Sequence, residues 1–262
     1  MRDRSPTEQR GQSELIGYVL LFSTVVIAIG LVVTFGVSAL DQVQSSTVAD
    51  NGEFAMQSVG VDMEALYYGT ALSRSTELTL DSATLETGTP ATVNVTAIRG
   101  SKTVEINREF RPIVYRTDDV AIAYENTMIV RDQARGAADV NDPLLSISRQ
   151  RAVVPVVETN ASTQSVGGGT HEVNAVLANG SSVSLQRDSA PVRLNVTVQT
   201  RPDRVDVWER QLNESVGSIM RPPGAPRAGR PACRRPEPDY VTCIVRTDRV
   251  VVSHAKIDYE LR

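Results

Sequence analysis

The chain has 262 residues, 41% of them hydrophobic and 22% charged, which is enough to bury one sizeable core or two small ones and too apolar for wholesale disorder. Its formal charge of −4, with no basic stripe, argues against nucleic acid as a partner, because phosphate binding needs concentrated Lys and Arg. Aromatic residues at 5% amid abundant Ser, Thr, Val and Ala suit a solvated β-protein better than an aromatic-lined pocket, so no small-molecule substrate is inferred.

The first feature is an uncharged run from Leu15 to Leu40. As a helix it would extend roughly 39 Å, more than the ~30 Å hydrocarbon core of a bilayer. Only Ser23, Thr24, Thr34 and Ser38 interrupt it, and they form no polar stripe of the kind a soluble helix shows. Arg2, Arg4 and Arg10 precede the run and Asp41 and Asp50 follow it. The positive-inside rule then puts the N-terminus in the cytoplasm and everything beyond the span outside. Membrane lipid is the implied partner. Val37-Ser38-Ala39 offers an alternative, a secretory cleavage site that would release the body, but the apolar run is nearly double the usual signal length.

At the head of the run stands Arg10-Gly11-Gln12-Ser13-Glu14-Leu15-Ile16-Gly17, a charged leader ending in Arg-Gly, a short polar step and then the span. This junction resembles the class III signal peptides of archaeal type IV pilin-like proteins. The resemblance implies a prepilin peptidase as partner, cutting on the cytoplasmic side between Gly11 and Gln12 and leaving the hydrophobic helix on the mature protein. Gly11 suits such a cut because a residue without a side chain lets the backbone lie extended in a protease cleft. Glu14 would be the third mature residue, whereas bacterial pilins carry their glutamate at the fifth. An unpaired carboxylate in lipid is expensive, so Glu14 is expected to pair with the new amine of a neighbouring Gln12 or to sit at the interface. Other pilin-like subunits are therefore implied partners. Residues 1–11 read as leader, 12–40 as transmembrane and assembly helix, 41–74 as helical stem or linker, and 75–262 as an extracellular β-rich domain.

Within the stem, Ala55, Val59, Met63 and Leu66 fall on one helical face that should pack against the body, with an end near Gly69. Gly52 and Gly60 weaken the helix, and Ser45, Ser46, Asp50 and Asn51 also suit a flexible linker. Beyond Arg74 the hydrophobic period becomes two. Val93, Val95 and Ala97 alternate with polar residues, as do Val192, Leu194, Val196 and Val198, the mark of half-buried strands. Further strands are expected at 77–81, 114–124 with a break at Asp118-Asp119, 127–131, 152–157, 240–246 and 249–252. Asn179-Gly180 reads as the tight turn of a hairpin between 172–177 and 182–186. Asp203 should cap a short helix over 205–212 carrying the only tryptophan, Trp208, read as core. The predicted fold is α+β, a long N-terminal hydrophobic helix followed by a mainly antiparallel β-sandwich-like extracellular domain.

Arg221–Pro238 is rich in Pro, Gly and Arg and reads as an irregular loop. Beside it, Cys233 and Cys243 are expected to form a disulfide, given the extracellular setting. Asn-x-Ser/Thr sequons at Asn94, Asn160, Asn179, Asn195 and Asn213 are glycosylation candidates, with Asn94 and Asn195 on the polar phase of their strands. No catalytic, cofactor or metal site is read. His171 and His254 stand far apart, Gly167-Gly168-Gly169 lacks a strand-to-helix context, and Asp139, Asn141 and Asp142 are followed by Pro143 without the later acidic ligand of a Ca²⁺ loop. The body has no residue motif that assigns a task and resembles an uncharacterised archaeal family of surface proteins. The expected function is therefore non-enzymatic, a minor or tip-type subunit of a type IV pilus-like assembly. The alternative is a solitary membrane-anchored binding module, a receptor or adhesion protein whose loops contact a ligand.

Overall fold

The computed structural model describes residues 8–188, 190–220 and 233–262, without the side chains of 8–15, 36–42, 45 and 217–220. Helix α1 (Glu8–Tyr67) opens the chain. Strands β1 (Ser73–Thr79), β2 (Thr84–Thr87), β3 (Ala91–Arg99), β4 (Lys102–Phe110), β5 (Ile113–Arg116), β6 (Val120–Glu125), β7 (Met128–Gln133) and β8 (Gly136–Asn141) follow. Then come β9 (Ser146–Ile147), β10 (Ala152–Asn160), β11 (Ser165–Gly167), β12 (Thr170–Gln186) and β13 (Val192–Gln199). Helix α2 (Pro202–Met220) precedes β14 (Cys233–Arg234), β15 (Tyr240–Thr247) and β16 (Arg249–Leu261). The chain divides into two compact units, residues 1–47 and Val48–Arg262. The second unit thus begins inside the stretch read as stem, and β1 starts two residues before the expected body boundary.

Three sheets build the second unit, in the orders β1-β12-β16-β10-β9, β11-β2-β5-β6-β7-β8 and β14-β15-β13-β3-β4. The strand pairs are antiparallel apart from β10 with β16, so the α+β, mainly antiparallel, sandwich-like architecture is the one the alternating sequence implies. Two cores result. One gathers Phe110, Val154, Val196, Trp208, Leu212 and Val252 between the third sheet, α2 and one end of the first. The other packs Met56, Val59, Met63 and Leu66 of α1 onto Tyr115, Ile122, Tyr124, Ile257 and Tyr259.

The long strands serve both cores by changing phase. On β16, Val250 and Val252 enter the first core, while Ile257, Tyr259 and Leu261 enter the second. Opposite that switch, the register of β12 slips between Leu177 and Asn179, and a bulge of this kind re-aims the side chains beyond it. The expected hairpin at Asn179-Gly180 is therefore corrected to one continuous strand. A two-residue hairpin turn needs positive φ at the first central residue or at both, and neither Asn179 nor Gly180 is among the positive-φ residues. Because β16 runs alongside the whole segment, from Leu261 opposite Val173 to Arg249 opposite Gln186, extended backbone finds a partner where the dipeptide alone would turn.

The stem face holds as read. Helix α1 ends where expected, with the Gly69 amide bonded to the Leu66 carbonyl and the Thr70 amide to Ala65, both at 3.0 Å. Gly69 takes φ +67°, the left-handed cap that favours glycine. Gly52 and Gly60 have a use that propensity hides. A Cβ on Gly52 would lie 2.1 Å from the Tyr115 ring, and one on Gly60 would lie 2.9 Å from Ile129 Cδ1, so their bareness lets the second sheet close onto the helix. The Tyr115 hydroxyl donates to the Val48 carbonyl at 3.2 Å, which keeps its ring from swinging aside. Replacing a helical glycine by alanine ordinarily gains ~1 kcal/mol, whereas overpacking costs about 1–3 kcal/mol. Thermal unfolding of the full chain in detergent should therefore show Gly52→Ala destabilised by a net of up to about 2 kcal/mol, the overpacking cost less the helical gain. Gly60→Ala, which meets only the movable end of Ile129, should stay within about 1 kcal/mol of the parent.

Candidate functional site

Residues Ile16–Phe35 of α1 are long and apolar enough to cross a membrane, and none of that stretch is buried. The polar interruptions are satisfied within the helix. Ser23 Oγ donates to the Val19 carbonyl at 2.7 Å, Thr24 Oγ1 to Leu21 at 2.8 Å and Thr34 Oγ1 to Gly30 at 2.8 Å, which leaves none of the three bare in an apolar surrounding.

Within the second unit, α1 has a further apolar side. Phe54 is 67% exposed and Val61 66%, and just past the helix Tyr68 is 59% and Leu72 73% exposed. Phe54, Val61 and Tyr68 are seven residues apart, so at 100° per residue they line up on one side of the helix. Met56, Val59, Met63 and Leu66 occupy the opposite side, in the core. With Ser58 and Ala65 between them, the exposed residues follow the alternating four-and-three spacing of a helix that packs against another. The buried face follows from the spacing of Ala55, Val59, Met63 and Leu66; the seven-residue repeat of Phe54, Val61 and Tyr68 is the sequence signal for the second.

The most buried polar constellation lies at the turn from β6 to β7. Asn126 and Thr127 take φ of 43° and 77°, costly for a β-branched threonine. Side chains hold the turn there. Val157 N–H donates to Asn126 Oδ1 at 2.6 Å, Asn126 Nδ2 donates to the Pro155 carbonyl at 3.3 Å, and Leu144 N–H donates to Thr127 Oγ1 at 3.1 Å. Glu125, immediately before the turn, is fully buried. It accepts from Arg204 Nη1 at 2.6 Å, Trp208 Nε1 at 3.1 Å and Thr200 Oγ1 at 3.0 Å. Arg204 Nε also donates to Asp132 at 2.8 Å. Burial works against the charge on Arg204, but Glu125 and Asp132 outweigh it and hold the guanidinium pKa above its usual value. Helix α2 brings Arg204 and Trp208 here, and it is longer than expected. It starts at Pro202, so Asp203 stands in its first turn and not at the cap; the Arg201 carbonyl accepts from Val205 N–H at 3.2 Å.

Above this network an open recess of about 580 Å³ is lined by Asp118, Asp119, Asp132, Asp203 and Asp206 among others. Three of these carboxylates already have arginine partners, Asp132 with Arg204, Asp203 with Arg201 and Asp206 with Arg235. Among the described residues no group of three or more His, Cys, Asp or Glu side chains is placed to hold a metal ion. Asp139, Asn141 and Asp142 are separately engaged: Asp139 with Arg210, which lowers the carboxyl pKa, Asn141 with the Ile129 amide and Asp142 with Gln211.

The other predicted site residues are scattered over the fold. Arg10, Gly11, Gln12 and Glu14 lie in the first turns of α1, with side chains outside the described residues. Cys233 and Cys243 form the expected disulfide, as cross-strand neighbours on β14 and β15. Residues 221–232 of the expected loop lie outside the described residues, and 233–234 form β14. Gly168 and Gly169 make the turn into β12 with φ of 67° and 75°. Asn94 and Asn195 are half-buried on the outer face of the third sheet, where Asn94 pairs with Thr197 and Asn195 with Thr96 across the strands. Asn213 is half-buried on α2, Asn160 is exposed at the end of β10, and Asn179 is exposed within β12, where a turn was expected.

Among the described residues, fold and site together define a protein with one exposed apolar helix near its N-terminus and a three-sheet body. The chain belongs to DUF7289, a family of unknown function that matches residues 10–260. Comparisons with curated proteins and with solved structures match nothing to it.

The buried charge network yields a direct test of what holds the second unit together. Removing one partner of a buried ion pair strands the other, at a cost of about 3–5 kcal/mol. Glu125→Gln, which leaves Arg204 only Asp132, should therefore lower the unfolding free energy by about 3 kcal/mol, the low end of that range, and adding Arg204→Met should recover part of that loss because Asp132 opens onto the recess. A double variant less stable than the single by the full Arg204 contribution would show that the two residues are not coupled.

Proposed function

We propose that this chain is a non-enzymatic, membrane-anchored surface protein that serves as a minor or tip-type subunit of a type IV pilus-like assembly. In this reading Ile16–Phe35 spans the membrane, the N-terminus is cytoplasmic and the body lies outside. A prepilin peptidase cuts between Gly11 and Gln12, and Glu14 pairs with the terminal amine of a neighbouring subunit. Lipid and other pilin-like subunits are the partners.

The observation that carries the reading is the exposed row Phe54, Val61 and Tyr68. A solitary anchor gains nothing from apolar side chains at heptad spacing on the solvent side of its stem. A subunit buries them against a neighbouring helix, and each large side chain so covered contributes about 1.5–3 kcal/mol before the cost of association. The Arg-Gly junction and the uncharged span point the same way, since both are what the resemblance to pilin-like proteins requires.

The test compares membrane and sheared surface fractions from cells producing the chain. Phe54→Glu and Val61→Glu alter exposed positions, so membrane content should match the parent. Their amount in sheared filaments should fall about tenfold or more, the change that only ~1.4 kcal/mol of lost contact produces. Glu14→Gln should insert normally and incorporate poorly. Equal incorporation of all three variants would reject assembly through the helix, and absence of even the parent chain from sheared material would favour the solitary binding module.

A further inference from the structure

We propose that Asn179 carries an N-linked glycan and that this glycan covers an open sheet edge; the inference rests on the reading that the body lies outside the membrane. The edge follows from the pairing. Strand β1 accompanies β12 only from Thr170, opposite Thr79, to Val176, opposite Ser73. From Asn179 to Gln186, β12 has β16 on one side and, among the described residues, no strand on the other. Every residue from Ala178 to Ser184 is exposed, so among the described residues no loop or helix lies over this stretch. Proteins usually blunt such an edge with charge, proline or a covering element, because its free N–H and C=O groups template pairing with another chain. The sequence Ala178-Asn179-Gly180-Ser181-Ser182-Val183-Ser184 has neither charge nor proline. What it has is the acceptor motif Asn179-Gly180-Ser181.

The side chains separate this sequon from the other four. Asn94 Nδ2 donates to Glu105 at 3.4 Å while its Oδ1 accepts from Thr96, Asn160 Nδ2 donates to Asp258 at 2.9 Å, and Asn195 Oδ1 accepts from Thr242 at 2.8 Å. Asn213 is half-buried on α2. Asn179 is exposed, and among the described residues its amide makes no hydrogen bond, so a sugar on Nδ2 displaces nothing. Asn179 and Ser181 also share a side of the strand, since side chains alternate with a period of two. The donor is a lipid-phosphate-linked oligosaccharide held by a transferase. Asn179 Nδ2 forms a bond to the anomeric carbon and the carbon–oxygen bond to phosphate breaks. The lipid phosphate leaves with that electron pair, and one amide proton passes to a base of the transferase.

The experiment uses the full chain purified from the membranes of producing cells. Peptide mass spectrometry reads the mass at Asn179, while intact cells are treated in parallel with a protease that does not enter them. A glycan mass on Asn179 with the body cut from outside is the expected result. An unmodified Asn179 on a body that the protease reaches overturns the inference and leaves the topology standing. A body shielded from the protease overturns the topology and the inference with it. Asn179→Gln and Ser181→Ala should each remove the added mass and shift the solubilised protein toward larger species by sedimentation. Loss of the mass with no shift in either variant would overturn the covering role.

Discussion

A helix has two sides, and the body of this protein takes only one side of α1. From Val48 to Tyr67 the buried side is fixed by shape. Gly52 and Gly60 let Tyr115 and Ile129 approach the helix closely, while Met56, Val59, Met63 and Leu66 fill the space between. Once that side is committed, Phe54 and Val61 have nowhere to go but outward. Their exposure is the geometric complement of a well-packed face, at a spacing that suits a second helix. The proposed function grows from this division of one helix between a core and a partner.

The body that accepts α1 is tied together by strands that change phase and by one buried turn. Strands β10, β12 and β16 each contribute to both cores, so neither core can form fully without the sheet they share. The β6–β7 turn joins the same parts by polar contacts, to β10 through Asn126, to the segment before β9 through Thr127 and to α2 through Glu125. A turn with threonine at positive φ is costly alone. Its partners are backbone groups and the Nη1 of a buried arginine that would otherwise go unsatisfied, and they favour that turn over a slack loop. The nearby carboxyl-rich recess is, on its inner side, the outer rim of this network.

Features set by local rules were the ones legible in the sequence. Alternation placed β3 and β13, helical spacing placed the buried stem face, Gly69 placed the helix end, and proximity paired Cys233 with Cys243. Features decided by distant partners were not. Asn179-Gly180 prefers a turn, but thirteen residues of β16 alongside it impose extended chain. Gly52 and Gly60 looked like weaknesses because propensity does not know that Tyr115 and Ile129 will arrive. Glu125 and Arg204 stand 79 residues apart in unremarkable surroundings, and nothing local marks them as a buried pair. The outward row of the stem was legible but was masked by the stronger inward one.

The account stands on α1 entering the membrane as the processed helix of a pilin-like subunit, so the mature N-terminus is its most direct test. Mass spectrometry of the chain extracted from membranes should find Gln12 as the first residue, with the apolar helix retained behind it. An intact Met1, or a chain beginning after Ala39, would contradict the account.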